Sequence, residues 1–195
     1  MPITRGMNFF DADPNLAFAL AESASEEDHA RALPLLLELG GVAGGELDAL
    51  AMAADRNPPV LRSFDEQGTR IDEVVYHPAD VEMQKLGFSR FGFAAMSHRD
   101  GVLGWPGRVP HVVKYALSYV FVQSEFGLFC PISMTDSAAR VLNLFGPDEL
   151  RERYVPGLTS TNFETLLQSA QLLTEGTGGS DVGANECVAR RVDGG

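Results

Sequence analysis

The stretch Leu172 to Asn185, LLTEGTGGSDVGAN, decides how this chain is read. It joins a strand-like run to a glycine-rich turn. Gly176, Gly178 and Gly179 let the backbone approach a ligand closely and expose successive N–H groups as a cradle for an anion or a carbonyl. Thr174 and Ser180 add hydroxyls that donate or accept. Glu175 and Asp181 are placed to brace the turn by accepting from its N–H groups. The stretch has no Lys-Ser/Thr ending, as a P-loop would, and no strand-to-helix G-x-G-x-x-G context, as a dinucleotide fold would.

Around that loop, Thr165 to Thr174 and Cys187 to Val192 read as strands. Val192 is followed by Asp193-Gly194-Gly195. An Asp-Gly pair after a strand signals a hairpin whose return strand is then missing, so we expect this chain to be the front part of a longer protein.

Upstream, the patterning is helical. Met1 to Pro14 reads as an irregular arm, and helix begins at Asn15. Ser25 ahead of Glu26, Glu27 and Asp28 suits a helix N-terminus, where backbone N–H groups lack partners and the dipole end is positive. Leu33, Leu36 and Leu37 point inward from that helix, Pro34 kinks it or opens a new segment, and Gly40 and Gly41 stop it. A fresh helix follows from Glu46, with Leu47, Leu50, Ala51 and Ala54 on one stripe, until Asn57-Pro58-Pro59. Val60 to Phe64 and Thr69 to Tyr76 flank Asp65-Glu66-Gln67-Gly68, which predicts a β-hairpin. His77-Pro78 leads into a helix with Val81, Met83 and Leu86 inside and Glu82 and Lys85 outside.

Arg99 to Pro110 is a loop, with Trp105 as its aromatic anchor. A long core helix is expected from His111 to about Phe129, then another restarted by Pro131. That second helix should bury Val141, Leu142 and Phe145 and close at Gly146. Pro147-Asp148-Glu149 opens a short helix to Tyr154, and Gly157 to Glu164 is a polar loop. The expected class is mainly α: an irregular arm over 1–14, a helical domain over 15–164 with a hairpin near 60–76, and the start of a β domain over 165–195.

Composition bounds the function. The 195 residues are 45 % hydrophobic, enough to bury a sizeable core. Fifteen Lys and Arg against 27 Asp and Glu leave a net charge of −12, which argues against nonspecific nucleic-acid binding by this portion. The most apolar stretch, Tyr115 to Val122, is far short of the ~20 residues that a membrane span needs, and no targeting segment is evident. Cys130 and Cys187 are too few for a disulfide scaffold. We expect reduced thiols buried as small hydrophobes in a cytoplasmic protein. His29, His77, His98 and His111 show no metal-ligand spacing, so no metal is expected.

The full pattern Thr174-Glu175-x-x-Gly178-Gly179-Ser180-Asp181, with Ala184 three places on, resembles the flavin-loop signature of acyl-CoA dehydrogenases. It departs from that signature at Leu172, where the family usually has a small residue or cysteine. Asn57 to Pro78 (NPPVLRSFDEQGTRIDEVVYHP) and Cys130 to Ala138 (CPISMTDSA) resemble the AidB-like branch, as does the order of helices between them. The resemblance covers nearly the whole chain from about Asn15.

It implies an N-terminal helical domain followed by the start of a middle β domain, FAD as cofactor, and α,β-dehydrogenation of an acyl-CoA thioester with hydride passing to the flavin N5. By position, Leu173 and Thr174 would contact the flavin ring edge, Gln171 would border the flavin, and Gly179 and Ser180 would lie near the flavin and the thioester arm. Met134 and Thr135 would either line the acyl pocket or simply pack within their helix. The family's base is a carboxylate of a C-terminal helical bundle beyond Gly195, so no catalytic residue is assigned here and Glu175 and Asp181 keep a turn-bracing role. The resemblance also implies an electron-transfer flavoprotein or similar acceptor, a homo-oligomer in the full-length form, and a place in fatty acid metabolism. Two alternatives stay open: an alkylation-response protein associated with DNA, and a non-catalytic helical docking module.

Overall fold

Asp13 starts the first helix. Its carboxylate accepts from the N–H groups of Asn15 (3.1 Å) and Leu16 (3.2 Å), two donors that a helix start leaves free. Helix α1 spans Pro14–Ser23. The computed structural model describes residues 6–190 and 192. Readings that fall on 1–5, 191 and 193–195, the Asp193-Gly194 turn among them, lie outside the described residues.

Ser25 caps α2 (Glu26–Val42), its hydroxyl accepting from Asp28 N at 3.1 Å. Pro34 lies within α2 and does not open a new segment. Pro34 and Ala30, the residue whose carbonyl loses its helical donor, are both exposed, so water can serve that carbonyl.

Gly40 and Gly41 do not stop the helix, and nothing restarts at Glu46. The chain stays helical through a π-turn at Ala43–Leu47 into α3 (Asp48–Asp55). Two of the glycines here serve contact with the arm. A Cβ on Gly40 would collide with Asn8 Oδ1, and one on Gly44 with the Met7 carbonyl. The carbonyls of Gly40 and Gly44 accept from Phe9 N (3.0 Å) and Gly6 N (2.7 Å), which binds the arm along the helix.

The hairpin forms where expected. Strands β1 (Val60–Phe64) and β2 (Arg70–Val75) pair antiparallel, Val60 opposite Val75 and Leu61 opposite Val74, with an irregularity between Arg62 and Phe64. Asp65 Oδ1 accepts from Gln67 N and Thr69 N, and Gly68 turns at φ +82°. His77 caps α4 (Pro78–Gln84), its Nδ1 accepting from Ala79 N at 3.2 Å, and the helix runs on as a π-turn over Lys85–Arg90. Glu82 and Lys85 form the expected outer pair, at 2.7 Å.

Helix α5 is shorter than expected, His111–Val122, and α6 begins at Phe129. The turn between them is held by polar groups. Ser124 Oγ donates to the Ala43 carbonyl, and the Glu125 carboxylate accepts from Leu128 N (2.9 Å) where α6 begins. α6 (Phe129–Phe145) buries Ile132, Thr135 and Ala139, with Leu142 half-buried on the same stripe. Val141 and Phe145, expected inside, are 51 % and 80 % exposed. At 100° per residue Val141 lies opposite Ile132, so packing of the Ile132 face turns Val141 outward. Helix α7 (Asp148–Leu158) continues through Pro156, four residues beyond the expected end at Tyr154.

The core lies between α2, α5 and the buried run Phe91–Met96. Phe93 meets Phe121 edge-on at 5.2 Å and Phe129 at 5.5 Å. Trp105 is buried, as an anchor should be. Both cysteines, expected buried, are exposed: Cys130 lies off the Ile132 stripe, and Cys187 lies in an exposed tail.

The two expected strands after Thr165 do not form among the described residues. Apart from a short 3₁₀ turn at Phe163–Thr165 and another at Val182–Ala184, that segment is irregular, with a single bridge between Glu175 and Gly178. A strand needs a neighbour's backbone for its N–H and C=O groups, and the bonds that tie 185–187 to 173–175 run through the Asn185 and Glu175 side chains instead.

Candidate functional site

The glycine-rich loop folds onto itself. Glu175 N donates to Gly178 O (3.0 Å) and Gly178 N to Glu175 O (3.3 Å). The Glu175 carboxylate accepts from Glu186 N (2.8 Å) and Cys187 N (3.0 Å), so it braces the loop across its mouth. Asn185 Nδ2 donates to the Leu173 carbonyl. Asp181 caps nothing with its side chain, and its carbonyl accepts from Ala184 N.

The three glycines differ. A Cβ on Gly178 would come within 2.9 Å of the Asp181 carbonyl, so the loop's own backbone requires glycine there. A Cβ on Gly176 would meet nothing within 4 Å, one on Gly179 would meet only Thr174 Cγ2 at 4.0 Å, and neither residue has a positive φ. Nothing within the described chain demands glycine at 176 or 179. Their open side is the surface that a ligand could approach.

Gln171, Leu173, Thr174, Gly179 and Ser180 are all exposed along this segment. Gln171 also borders an apolar cavity of about 520 Å³ shared with Val141, Leu142, Tyr154 and Leu167. Met134 is half-buried on α6. Thr135 is fully buried, and its hydroxyl is engaged twice: it donates to Pro131 O (2.8 Å) and accepts from Ser169 N (3.1 Å).

Beside Thr135 lies a polar cluster that sequence reading missed. Asp136 Oδ1 is 2.9 Å from His98 Nε2, and Asp136 Oδ2 accepts from Lys114 Nζ at 2.8 Å. Lys114 Nζ also donates to Ser97 Oγ at 2.9 Å. The Lys114 and His98 side chains are 5 % and 8 % exposed. Burial pushes the Asp136 carboxyl up, but the hydrogen bonds from His98 and Lys114 and the charge of Lys114 outweigh it, so its pKa lies below the ordinary value. A lysine inside the most apolar helix was the available signal, because a buried charge needs a partner.

No group of three or more His, Cys, Asp or Glu residues suited to a metal occurs among the described residues. No described helix is long and apolar enough to cross a membrane.

The fold is that of known acyl-CoA dehydrogenase relatives. The solved structure of Caenorhabditis elegans ACDH-11 in complex with C11-CoA superposes with a TM-score of 0.79 at 27 % identity, covering 90 % of this chain and 29 % of that one. The apo form of Bd2924 superposes equally well, at 0.79, with 30 % identity over 91 % of this chain and 34 % of that one. By sequence the chain is 31 % identical over 189 residues to AidB of Escherichia coli (strain K12), which is named only provisionally as an acyl-CoA dehydrogenase. It is 27 % identical over 190 residues to acyl-CoA dehydrogenase family member 11 of Caenorhabditis elegans. The chain belongs to the family of the adaptive response protein AidB N-terminal domain, whose model matches residues 1–165. It spans about a third of the length of these curated relatives.

Proposed function

We propose that this chain is the N-terminal part of an FAD-dependent acyl-CoA dehydrogenase, with residues 15–164 as its helical domain and residues 165–195 opening a β domain. The observation that carries the reading is the pair of glycines at 176 and 179, open on a side where nothing in the described chain excludes a side chain. A flat ring system laid against the loop gives those positions their reason. The exposed residues of the segment suit such a group: Leu173 and Thr174 would offer backbone and hydroxyl to a ring edge, Gln171 would border it, and Gly179 and Ser180 would lie near it.

When bound, FAD supplies the acceptor for the hydride removed from the acyl chain. This chain's own residues bind and orient. Ser180 and half-buried Met134 serve the acyl thioester, while Thr135, expected with them, has its hydroxyl committed inside the protein. Glu175 is no base in this reading, because its carboxylate is held by two backbone N–H groups. The base belongs to the helical bundle that the family resemblance implies. An acyl-CoA substrate is supported by the C11-CoA bound to the relative of known structure. A flavoprotein-type electron acceptor, a homo-oligomeric full-length form and a cytoplasmic location complete the reading.

The test is flavin uptake by the full-length gene product. Purified protein that carries flavin absorbance, and that bleaches on anaerobic addition of an acyl-CoA, supports it. A protein that stays colourless after incubation with FAD overturns it.

A further inference from the structure

Thr135 stands between two parts of the molecule. On one side, the residue next to it, Asp136, is tied to Lys114 of α5 (2.8 Å) and to His98 of the preceding loop (2.9 Å). The backbone carbonyl of Asp136 also lies 3.1 Å from His98 Nε2. These bonds fix α6 in both rotation and height at residue 136. On the other side, Thr135 Oγ1 accepts from the backbone N–H of Ser169 at 3.1 Å, two residues before Gln171. Among the described residues, this is the last hydrogen bond joining the helical body to the stretch that carries Gln171 to Ser180. Earlier anchors, Leu167 N to Gly157 O (3.0 Å) and Gln168 Nε2 to Gln84 Oε1 (2.8 Å), lie upstream of it.

The Thr135 side chain has no solvent exposure, and it donates its hydroxyl proton to Pro131 O, which leaves the oxygen oriented to accept from Ser169. A threonine is also stiff at χ1, so the acceptor is held in place rather than sought by a mobile chain.

We infer that Thr135 is a positioning residue for the flavin-binding stretch: its hydroxyl, fixed on α6 beside Asp136, which Lys114 of α5 and His98 hold in place, clamps Ser169 and so sets where Gln171 to Ser180 leave the helical body. It acts through Ser169 and not by touching the acyl chain. The inference rests on the flavin reading above and adds to it a cause for the placement of the loop.

The experiment uses the full-length gene product with two variants. Thr135→Val keeps the shape and removes the acceptor, and Thr135→Ser keeps the hydroxyl. Amide hydrogen exchange is read at Ser169 and, as an internal control, at Val120 in the core of α5. FAD affinity is read by titration of flavin fluorescence. One lost hydrogen bond predicts that Thr135→Val speeds exchange at Ser169 by roughly three- to tenfold over any change at Val120 and weakens FAD by a similar factor. Thr135→Ser should restore both. Equal acceleration at Ser169 and Val120 would mean a merely structural residue and would overturn the inference. So would an FAD affinity that is indifferent to Thr135→Val in a wild type that binds FAD, and that outcome leaves the flavin reading intact. A wild type that takes up no FAD overturns the flavin reading itself, and this role with it.

Discussion

Lys114 of α5 and Asp136 of α6 form an ion pair at 2.8 Å with only 5 % and 23 % of their side chains exposed, and His98 and Ser97 complete their hydrogen bonds. The pair joins two helices and a loop at one point. Breaking such a pair by removing one partner strands the other charge, which costs more than the pair itself contributes. We expect Asp136→Asn or Lys114→Met to lower stability by about 3 kcal/mol, the low end for buried pairs because Asp136 keeps some contact with water. Urea unfolding of both single variants and the double variant checks this. The double variant should lose clearly less than the sum of the two singles, and strict additivity would show that the groups do not depend on one another.

The same carboxylate gives a pH dependence of defined sign. Its pKa is lowered in the folded protein from an ordinary value of 3.8. The unfolded chain therefore binds the proton more readily, and stability rises with pH across that window. The contribution of Asp136 is fully present above the unfolded value and drains away as pH falls through the lower folded one. The stability gap between wild type and Asp136→Asn should shrink as pH falls below about pH 4. A gap that widens in acid would contradict the assignment.

Two neighbouring glycines should respond in opposite directions. Gly44→Ala places a Cβ against the Met7 carbonyl and within 2.9 Å of the Phe9 ring, so the arm must move, at a cost of about 1–3 kcal/mol. Gly45→Ala meets nothing within 4 Å and replaces a poor helix former by a good one, a gain of up to about 1 kcal/mol. Melting temperatures of the pair check this. Limited proteolysis should open the arm in Gly44→Ala and spare it in Gly45→Ala.

Phe93 is fully buried between the rings of Phe121 and Phe129. Phe93→Ala leaves a cavity at the junction of the Phe91–Met96 run with α5 and α6, and should cost about 3–5 kcal/mol in denaturant unfolding. Phe93→Leu should cost clearly less, because it refills most of the volume.

Where a feature depends on residues close in the chain, it was legible from the sequence. Ser25 caps α2 through a residue three places on, and Asp65 and Gly68 close the hairpin turn. Short-range hydrogen bonds and backbone torsions are written in neighbouring residue types.

The tertiary structure alone decided the rest. Gly40 reads by itself as a helix stop, but it lies within α2 and is glycine because the arm packs on it. Periodicity puts Val141, Leu142 and Phe145 on the inward face of α6, but docking of Ile132, Thr135 and Ala139 turns Val141 and Phe145 outward. Lys114, His98 and Asp136 are separated by up to 38 residues, and nothing in their spacing announces that they meet. The two strands expected after Thr165 show the same limit from the other side: a strand is stabilised by hydrogen bonds to a partner, so its own residues can permit it but cannot form it. The sequence by itself determined the local turns and caps. Which faces are buried, which glycines are spacers and which charges are partnered follow from packing between distant segments.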